Sequence, residues 1–361
     1  MPLFRSLRRN RSTVGREEQI VFYPSFASRT EDGRGWSLVV QGCVFDPRIP
    51  WLRRTPLMGL IKRAMRIDRA ADEYFRQRMR QFLMTGLRGR AVSVTLADRE
   101  FHVAESDYMG LFRGTIELNE DLVSSLVQVG EDGGRWVGCR ALLGTSDTRE
   151  IRGQMQLIEP TGTSIISDVD DTIKHSNVPN RRDLFRNTFA RHFVPVTGMP
   201  ELYRGCANAG AAFHFVSGSP WQLYEPLSEF CRAEGYPSGS FHLKRFRFRE
   251  AARKLRMSPQ KAHKRAAIEP ILAAFPERSF VLIGDSGEQD PEIYGRLLAE
   301  FPQQIKGVFI RAIRGESRDS ERVQAAFAGS SPEKWALYTD PTEIRDRVSQ
   351  LVSASRTDVS R

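Results

Sequence analysis

A short apolar segment that runs directly into three carboxylates constrains the fold of this chain most strongly. The segment Ser164–Ser167 is followed by Asp168, Asp170, Asp171 and Thr172. The apolar run is too short for a helix and contains two β-branched isoleucines, so it predicts a buried parallel strand. In open α/β sheets, the residues at the carboxyl end of such a strand face the ligand crevice.

The acids after this strand predict a cation site, a nucleophile, or both. Three carboxylates within four residues repel one another unless a cation neutralises their charge. A hard divalent ion such as Mg²⁺ is the natural candidate, because it binds one or two protein carboxylates together with substrate phosphate. An aspartate can also accept a phosphoryl group covalently. The alternative is an acidic turn after a strand.

Length, charge and cysteine spacing limit the class of protein. A chain of 361 residues predicts two domains, because single cores seldom exceed about 250 residues. The formal net charge of +10 suggests an acidic partner: a phosphorylated substrate, an anionic lipid surface or a nucleic acid. Four scattered cysteines argue against zinc and for reduced thiols. Without a signal-peptide or transmembrane pattern, we expect a cytoplasmic protein, with peripheral membrane association open.

The hydrophobic pattern changes once along the chain. Residues 1–17 resemble a basic tail, and residues 18–160 contain alternating segments separated by Gly/Asp turns, which predict a small antiparallel sandwich or barrel as an accessory domain. Residues 161–345 alternate between strand-like and helix-like segments, which predicts a parallel sheet with helices on both faces. Residues 346–361 form a polar tail that we expect to fray.

Two basic segments stand apart from this pattern. Between Leu57 and Leu83 apolar residues recur at helical spacing, with Lys and Arg on the opposite side. Such a helix can lie on an anionic membrane, and a solvated charged face is the alternative. The segment Lys244–Arg256 interleaves Phe and Arg. It suits an anionic membrane or single-stranded nucleic acid, and a solvated loop is equally open.

Three further signals occur where the second half would place strand ends or adjoining helices. Ser217 ends an apolar run and can donate to a phosphate oxygen, and Gly218 after it exposes backbone N–H groups. Lys264 lies in a helical segment and could neutralise a phosphoryl group. Asp285 ends another apolar run and could supply an oxygen ligand, with Asp290 as its competitor.

The order of these motifs resembles that of the haloacid-dehalogenase superfamily of phosphohydrolases. The strings Ser167–Lys174, Phe213–Tyr224, His263–Lys264 and Ile283–Tyr294 are similar to those of the actin-patch-type, Mg²⁺-dependent phosphatidate phosphatase family. The likeness is strong from about 160 to 315 and thinner over the β-rich half. It implies an α/β fold: a haloacid-dehalogenase-like Rossmannoid parallel sheet with helices on both faces and no large cap.

The resemblance also implies a reaction and residue roles. Phosphatidate would be hydrolysed to diacylglycerol and phosphate through an aspartyl phosphate. Asp168 would attack phosphorus, and Asp170 would protonate the leaving alkoxide and then activate water. Mg²⁺ would be held by the Asp168 carboxylate, the Asp170 backbone carbonyl and Asp285 or its competitor. The phosphate-binding positions would be Thr172, which supports the turn, and Ser217, Gly218 and Lys264.

Two other functions fit the sequence. The same chemistry could act on nucleic-acid ends or on a phosphoprotein, for which the net charge is the motivation. A non-catalytic adaptor on a membrane surface is the other alternative, and the filled motif positions weigh against it. The gaps that flank Ser217 are too short for a sizeable lid domain, so we expect an open site, which suits a phosphate presented by a larger body.

Overall fold

The computed structural model of this chain describes residues 12–48, 63, 72–246, 260–313 and 315–357. Most of the predicted basic tail therefore lies outside the described residues. Residues 57–62 and 64–71 of the predicted 57–83 helix also lie outside the described residues, as do residues 247–256 of the Phe/Arg segment. None of the helices in the described part combines the length and hydrophobicity that crossing a membrane requires.

The described residues form two compact units. The first comprises residues 12–48 and 83–159, and the second comprises residues 63, 72–82 and 160–357. The helix α1 (Asp72–Leu83) is the described part of the helix predicted from the sequence. Residues 72–82 pack with the second unit although they lie within the β-rich stretch of sequence.

The first unit is a mainly antiparallel sheet, which confirms the predicted β-rich region. Its described strands are β1 (Gln19–Tyr23), β2 (Ser25–Arg29), β3 (Gly35–Asp46), β4 (Thr85–Gly86), β5 (Ala91–Leu96), β6 (Arg99–Glu105), β7 (Leu111–Asn119), β8 (Val127–Val129), β9 (Arg135–Ala141) and β10 (Arg152–Leu157). They pair in the order β1-β3-β2-β10-β9-β5-β6, with β4 and β7 on β3 and β8 on β9. The short helix α2 (Glu120–Leu126) follows β7.

The first described residues belong to this unit. Ser12 N–H donates to the Leu142 carbonyl and Thr13 N–H to the Ala91 carbonyl, each at 2.9 Å. Val14 is buried in the core. The predicted loose tail therefore does not extend to residue 17, because the chain has gained backbone partners by Ser12.

The second unit is built on six parallel strands, as the alternating pattern predicts. They are β11 (Thr163–Ser167), β12 (Ala212–Pro220), β13 (Ser240–Lys244), β14 (Ser279–Asp285), β15 (Ile305–Arg311) and β16 (Trp335–Tyr338). The accompanying helices are α3 (Arg181–Phe189), α4 (Met199–Asn208), α5 (Tyr224–Ala233), α6 (Gln260–Ala274), α7 (Asp290–Glu300), α8 (Glu321–Ala326) and α9 (Arg345–Thr357).

The strand order defines where a ligand can bind. The sheet runs β13-β12-β11-β14-β15-β16, which is the order 3-2-1-4-5-6 typical of doubly wound α/β sheets. The order reverses between β11 and β14, whose residues Ser167 and Ile283 are paired. In such sheets a crevice opens at this switch point, outside the carboxyl ends of the strands. Asp168 directly follows β11, and Asp285 is the last residue of β14.

The prediction that residues 346–361 form a fraying polar tail is wrong for residues 346–357, which are helical. Residues 345–357 form α9, and its side chains Val348 and Val352 are buried. Together with the buried Ile344, they recur every fourth residue, which places them on one helix face. Three apolar residues at that spacing attach an otherwise polar helix to the core.

Candidate active site

Asp168 is fixed at the switch point by the neighbouring strand β14, by the following turn and by Lys264. It is fully buried, and its backbone N–H donates to the Ile283 carbonyl at 2.9 Å. Thr172 Oγ1 donates to Asp168 Oδ2 at 3.3 Å, which links the following turn to Asp168. Lys264 Nζ lies 2.8 Å from Asp168 Oδ1.

Three aspartates meet around one point in the crevice. One carboxylate oxygen each from Asp168, Asp285 and Asp290 lies within 4.8 Å of the other two. Asp285 Oδ1 accepts from the N–H groups of Gly287 at 2.6 Å and Glu288 at 3.2 Å. Asp285 Oδ2 is buried and has no hydrogen-bond donor among the described residues. A buried carboxylate oxygen of this kind needs a cation or a proton.

Lys264 neutralises part of this cluster. Its ammonium contacts the carboxylates of Asp168, Asp290 and, at 3.0 Å, Glu288. Burial alone would lower the pKa of Lys264, but these three carboxylates outweigh burial and raise it well above its ordinary value. The side chain is therefore charged at neutral pH.

The remaining negative charge fits a divalent cation. Burial raises the pKa values of Asp168, Asp285 and Glu288, Lys264 opposes the rise, and the neighbouring carboxylates add to it. One ammonium does not balance four carboxylates. Oxygen donors with excess negative charge in a buried cluster are the ligand set that Mg²⁺ prefers. Asp285 and Asp290 both belong to this set, so the geometry does not choose between them.

Asp170 belongs to a different network. Four side-chain groups of the described residues donate to its carboxylate: Lys174 Nζ at 2.5 Å, Ser176 Oγ at 2.7 Å, Ser217 Oγ at 3.1 Å and Ser219 Oγ at 2.7 Å. Burial opposes ionisation, but the Lys174 ammonium and these hydrogen bonds lower the pKa of Asp170 well below its usual range. Asp170 is therefore an anion in this arrangement.

Asp171, the third acid of the motif, holds the backbone instead of a cation. Its Oδ1 accepts from the N–H groups of Ser176 at 2.7 Å and Asn177 at 2.8 Å, and its Oδ2 from Val178 N–H at 2.7 Å. Its φ of 57° lies in the left-handed region, which aspartate tolerates better than most residues. This clamp fixes the turn that carries Ser176 to Asp170.

The end of β12 supplies small polar groups beside Asp170. The pairing of β12 with β13 shifts register between Ser217 and Pro220, so Gly218 lies within an irregular segment. Ser219 N–H donates to Ser217 Oγ at 2.9 Å. His263 Nε2 lies 3.1 Å from the Ser217 carbonyl oxygen, which ties helix α6 to this segment.

The structure thus brings the sequence-predicted side chains into two adjoining clusters, and their catalytic roles remain predictions. Asp168, Thr172, Lys264, Asp285 and Asp290 form the first, and Asp170 and Ser217 belong to the second. Sequence reasoning missed four polar side chains in these clusters: Lys174, Ser176, Ser219 and Glu288. All except Ser176 lie inside the motif strings. The sequence of a motif alone does not show whether a polar side chain is buried against the site or exposed to solvent.

Comparison with known proteins gives a family for the second unit. Residues 163–312 match the family described as the catalytic domain of the phosphatidate phosphatase APP1. These residues begin at β11 and include every side chain of both clusters.

Two fungal proteins are similar over longer stretches. An uncharacterised protein of Schizosaccharomyces pombe is 30% identical over 297 residues, which is 78% of this chain and 48% of that protein. The phosphatidate phosphatase APP1 of Saccharomyces cerevisiae is 35% identical over 166 residues, which is 45% of this chain and 28% of that protein. The chain therefore spans about half the length of the first relative and less of the second.

Solved structures give weaker similarities. A Pnkp1/Rnl/Hen1 complex matches with a TM-score of 0.30 and 15% identity, covering 45% of this chain and 55% of that one. D,D-heptose 1,7-bisphosphate phosphatase from Burkholderia thailandensis matches with a TM-score of 0.24 and 12% identity, covering 55% of this chain and 99% of that one. Scores this low carry no argument about fold or function.

Proposed function

Because residues 163–312 belong to the family of APP1-type phosphatidate phosphatase catalytic domains, we propose that this unit hydrolyses phosphatidate to diacylglycerol and phosphate. The observation that carries the proposal is the buried aspartate cluster at the switch point of the sheet, with Asp168 inside it. A nucleophile, a counter-charge and a place for a cation coincide there, where doubly wound sheets bind their ligands. Motif order and strand order together support membership of the haloacid-dehalogenase superfamily.

Mg²⁺ is the cofactor that the donor set fits best. Asp168 and either Asp285 or its competitor Asp290 would hold it, with the Asp170 backbone carbonyl as the further ligand implied by the family likeness. When bound, the ion would shield the phosphate charge so that a carboxylate can approach an anion.

Two aspartates would divide the chemistry. A carboxylate oxygen of Asp168 attacks phosphorus and forms an aspartyl phosphate, while the bond from phosphorus to the lipid alkoxide breaks. Asp170 gives a proton to that alkoxide and then takes one from the water that hydrolyses the intermediate. Asp170 is an anion before substrate arrives, so its proton would come with the substrate: the phosphate charge raises the pKa of Asp170, and a singly protonated phosphomonoester passes its proton to that carboxylate. Lys264 orients Asp168, and Thr172 fixes the turn.

The irregular end of β12 is suited to the phosphoryl oxygens. Ser217 and Gly218 would offer a hydroxyl and a backbone N–H, with Lys264 as the fixed positive charge. A substrate that belongs to a bilayer implies peripheral membrane association, and we place the enzyme on the cytoplasmic side of a membrane. The short segments around Ser217 support a site without a large cap.

A phosphate-release assay of the purified chain tests this function. Phosphatidate in detergent micelles, a 3′-phosphorylated oligonucleotide and a phosphopeptide are compared with and without Mg²⁺. We expect release from phosphatidate that stops with excess chelator. Asp168→Asn should lower the rate at least about a thousandfold, and the exposed Asp319→Asn should leave it unchanged.

The alternatives give different results in this assay. Release from the oligonucleotide or phosphopeptide alone would assign the same chemistry to another substrate. Substantial release by Asp168→Asn, or release that is insensitive to chelator, would contradict the mechanism. No release from any substrate would favour a non-catalytic adaptor.

A further inference from the structure

Residues 173–196 form a flap that borders the site. His175 N–H donates to the Val194 carbonyl at 2.8 Å, and Val196 N–H donates to the Ile173 carbonyl at 3.0 Å. Helix α3 lies between these two paired segments. Because the flap starts directly after the first motif, it lies at the carboxyl edge of the sheet. Asn187 Nδ2 on α3 donates to the Ser176 carbonyl at 3.0 Å, and the Ser176 hydroxyl donates to the Asp170 carboxylate.

Helix α1 is fastened to this flap. Arg78 Nη1 donates to the carbonyls of Thr188 at 2.6 Å and Arg191 at 2.8 Å, at the end of α3. The rings of Phe82 and Phe189 lie 5.1 Å apart. Burial lowers the pKa of Arg78 to about 10, so it remains charged at neutral pH. The helix and the flap therefore form one packed body.

The outer side of this body carries exposed apolar side chains. Val194 is 53% exposed and Tyr74 is 39% exposed, and they are two of the four large hydrophobic side chains exposed in the described part of the chain. His192 and Val194 are exposed, and Phe193 between them is buried. The side chains of His192 and Val194 therefore lie on the same, outer side of this segment. The rings of Tyr74 and His192 lie 6.2 Å apart. Tyr74, His192 and Val194 therefore make one surface, named here the flap patch.

The exposed charge on α1 and the flap is mainly positive, while the exposed Glu225 of α5 accepts from Gln81 of α1. The exposed charged side chains of α1 and the flap are, among those described, Glu73, Arg76, Arg80, Arg182 and Arg191. Asp183 accepts from the Asn177 side chain at 3.1 Å, which partly satisfies its charge. Exposed apolar side chains on a body that carries several exposed arginines suit the headgroup region of an anionic membrane.

We propose that the flap patch docks this protein on an anionic bilayer. Val194 and Tyr74 enter the headgroup region, and exposed arginines of α1 and the flap contact acidic headgroups. This inference rests on the proposed function, because docking at the edge of the site brings a phosphate on the bilayer surface close to Asp168. A nucleic acid also attracts arginines, but the exposed valine of the patch gains nothing from a phosphate backbone.

Vesicle sedimentation with the full chain tests the docking surface. The vesicles are pure phosphatidylcholine, or phosphatidylcholine with phosphatidylserine, which is anionic and has no phosphomonoester. The chain offers a matched control, since Tyr108 and Val129 are the other exposed pair of the same residue types. We expect Tyr74→Ser with Val194→Ser to weaken binding to the anionic vesicles about tenfold. Tyr108→Ser with Val129→Ser should change it by less than about twofold.

A second pair of variants tests the charge. We expect Arg80→Glu with Arg182→Glu to weaken binding to anionic vesicles, and added salt to weaken the wild-type protein similarly. Thermal melting confirms that each variant is folded. Equal binding by the patch variant and its matched control, or no preference of the wild type for anionic vesicles, would overturn the proposal. A parallel loss of oligonucleotide binding by the patch variant would reassign the surface to nucleic acid.

Hydrolysis of a water-soluble short-chain phosphatidate separates this proposal from the proposed function. The patch variant should hydrolyse it at the wild-type rate, because Tyr74 and Val194 lie outside both clusters. Vesicle binding without any hydrolysis would defeat the proposed function and leave the docking surface standing. Hydrolysis of the soluble substrate without vesicle binding would support the proposed function and overturn the docking surface.

Discussion

Asp168 and Asp170 lie two residues apart but have opposite electrostatic environments. Asp168 shares Lys264 with two other carboxylates, and its pKa is raised, first by burial. Asp170 has its own lysine and three serine hydroxyls, and its pKa is lowered. The spacing of the motif was enough to predict that both are functional. The partners that separate their pKa values come from several segments of the chain.

The buried pair of Asp170 and Lys174 should be strongly coupled. Lys174→Met leaves a buried anion without its cation, so we expect the free energy of unfolding to fall by about 3–5 kcal/mol. The double variant with Asp170→Asn should recover a large part of that loss. Urea unfolding of both single variants and the double variant measures the coupling. The exposed Lys306→Met is the control, and additive effects of the two single substitutions would contradict the pairing.

His263 should make stability depend on pH. Burial lowers its pKa from 6.5 to about 4, the Ser217 carbonyl opposes the shift, and Lys244 and Lys264 add to it. Between pH 6.5 and pH 4 the unfolded state binds more protons, so stability falls as the pH falls through this range. We expect His263 to contribute a loss of about 3 kcal/mol once the pH has fallen below 4. Urea unfolding of wild type and His263→Gln should give a difference that varies with pH below 6.5 and is constant above it.

At the scale of elements, α1 shows how a correctly predicted helix can have an unpredicted partner. The apolar spacing of Phe75, Met79 and Phe82 predicts its buried face. Arg78 lies on that same face and is buried. An arginine among apolar residues of a buried face indicates polar acceptors on the other side, which here are carbonyls at the end of α3.

Removing this arginine should loosen both helices together. Arg78→Met leaves the Thr188 and Arg191 carbonyls without their charged donor, so we expect a loss of about 2–3 kcal/mol. Amide hydrogen exchange should speed up in residues 72–83 and 181–193 in parallel. Arg80→Met, on the exposed face, should change neither segment. Faster exchange in only one of the two segments would contradict their coupling.

Two of the six parallel strands could not be predicted from hydrophobic pattern. Strand β13 contains Ser240 and His242, which are buried polar residues. The Ser240 hydroxyl lies within hydrogen-bond distance of two histidines. Its Oγ is 2.7 Å from His214 Nδ1 and 2.8 Å from His242 Nε2. Their burial depends on a neighbouring strand, so no local pattern reveals it. Strand β16 has only four residues, too few for periodicity.

At the scale of the molecule, the second unit depends on a helix that precedes it by many residues. A chain that starts at residue 160 lacks α1 and exposes the aromatic side chains that α1 covers on the flap. We expect its melting temperature to lie about 5–10 °C below that of the same chain with residues 72–83 fused through a flexible linker. A fusion with the same residues in scrambled order is the control. Equal melting temperatures for all three proteins would show that α1 is dispensable.

The site divides in a similar way into predictable and unpredictable parts. Asp168, Asp285 and Lys264 were predictable because each follows a recognisable strand or lies in a characteristic string. Lys174, Ser176 and Ser219 were not, because their contact with Asp170 depends on the clamp of Asp171 and on the irregular end of β12. Local turns of this kind bring side chains together in ways that residue spacing does not show.

The pairing of Asp168 N–H with the Ile283 carbonyl has a consequence for biosynthesis. During translation β11 leaves the ribosome well before β14, with more than a hundred residues still to be made between them. Until Ile283 has emerged, the backbone of Asp168 lacks that acceptor and the carboxylates of β14 and α7 are absent. A nascent or truncated chain that stops before β14 therefore lacks the aspartate cluster, which can form only after Asp285 and Asp290 have emerged.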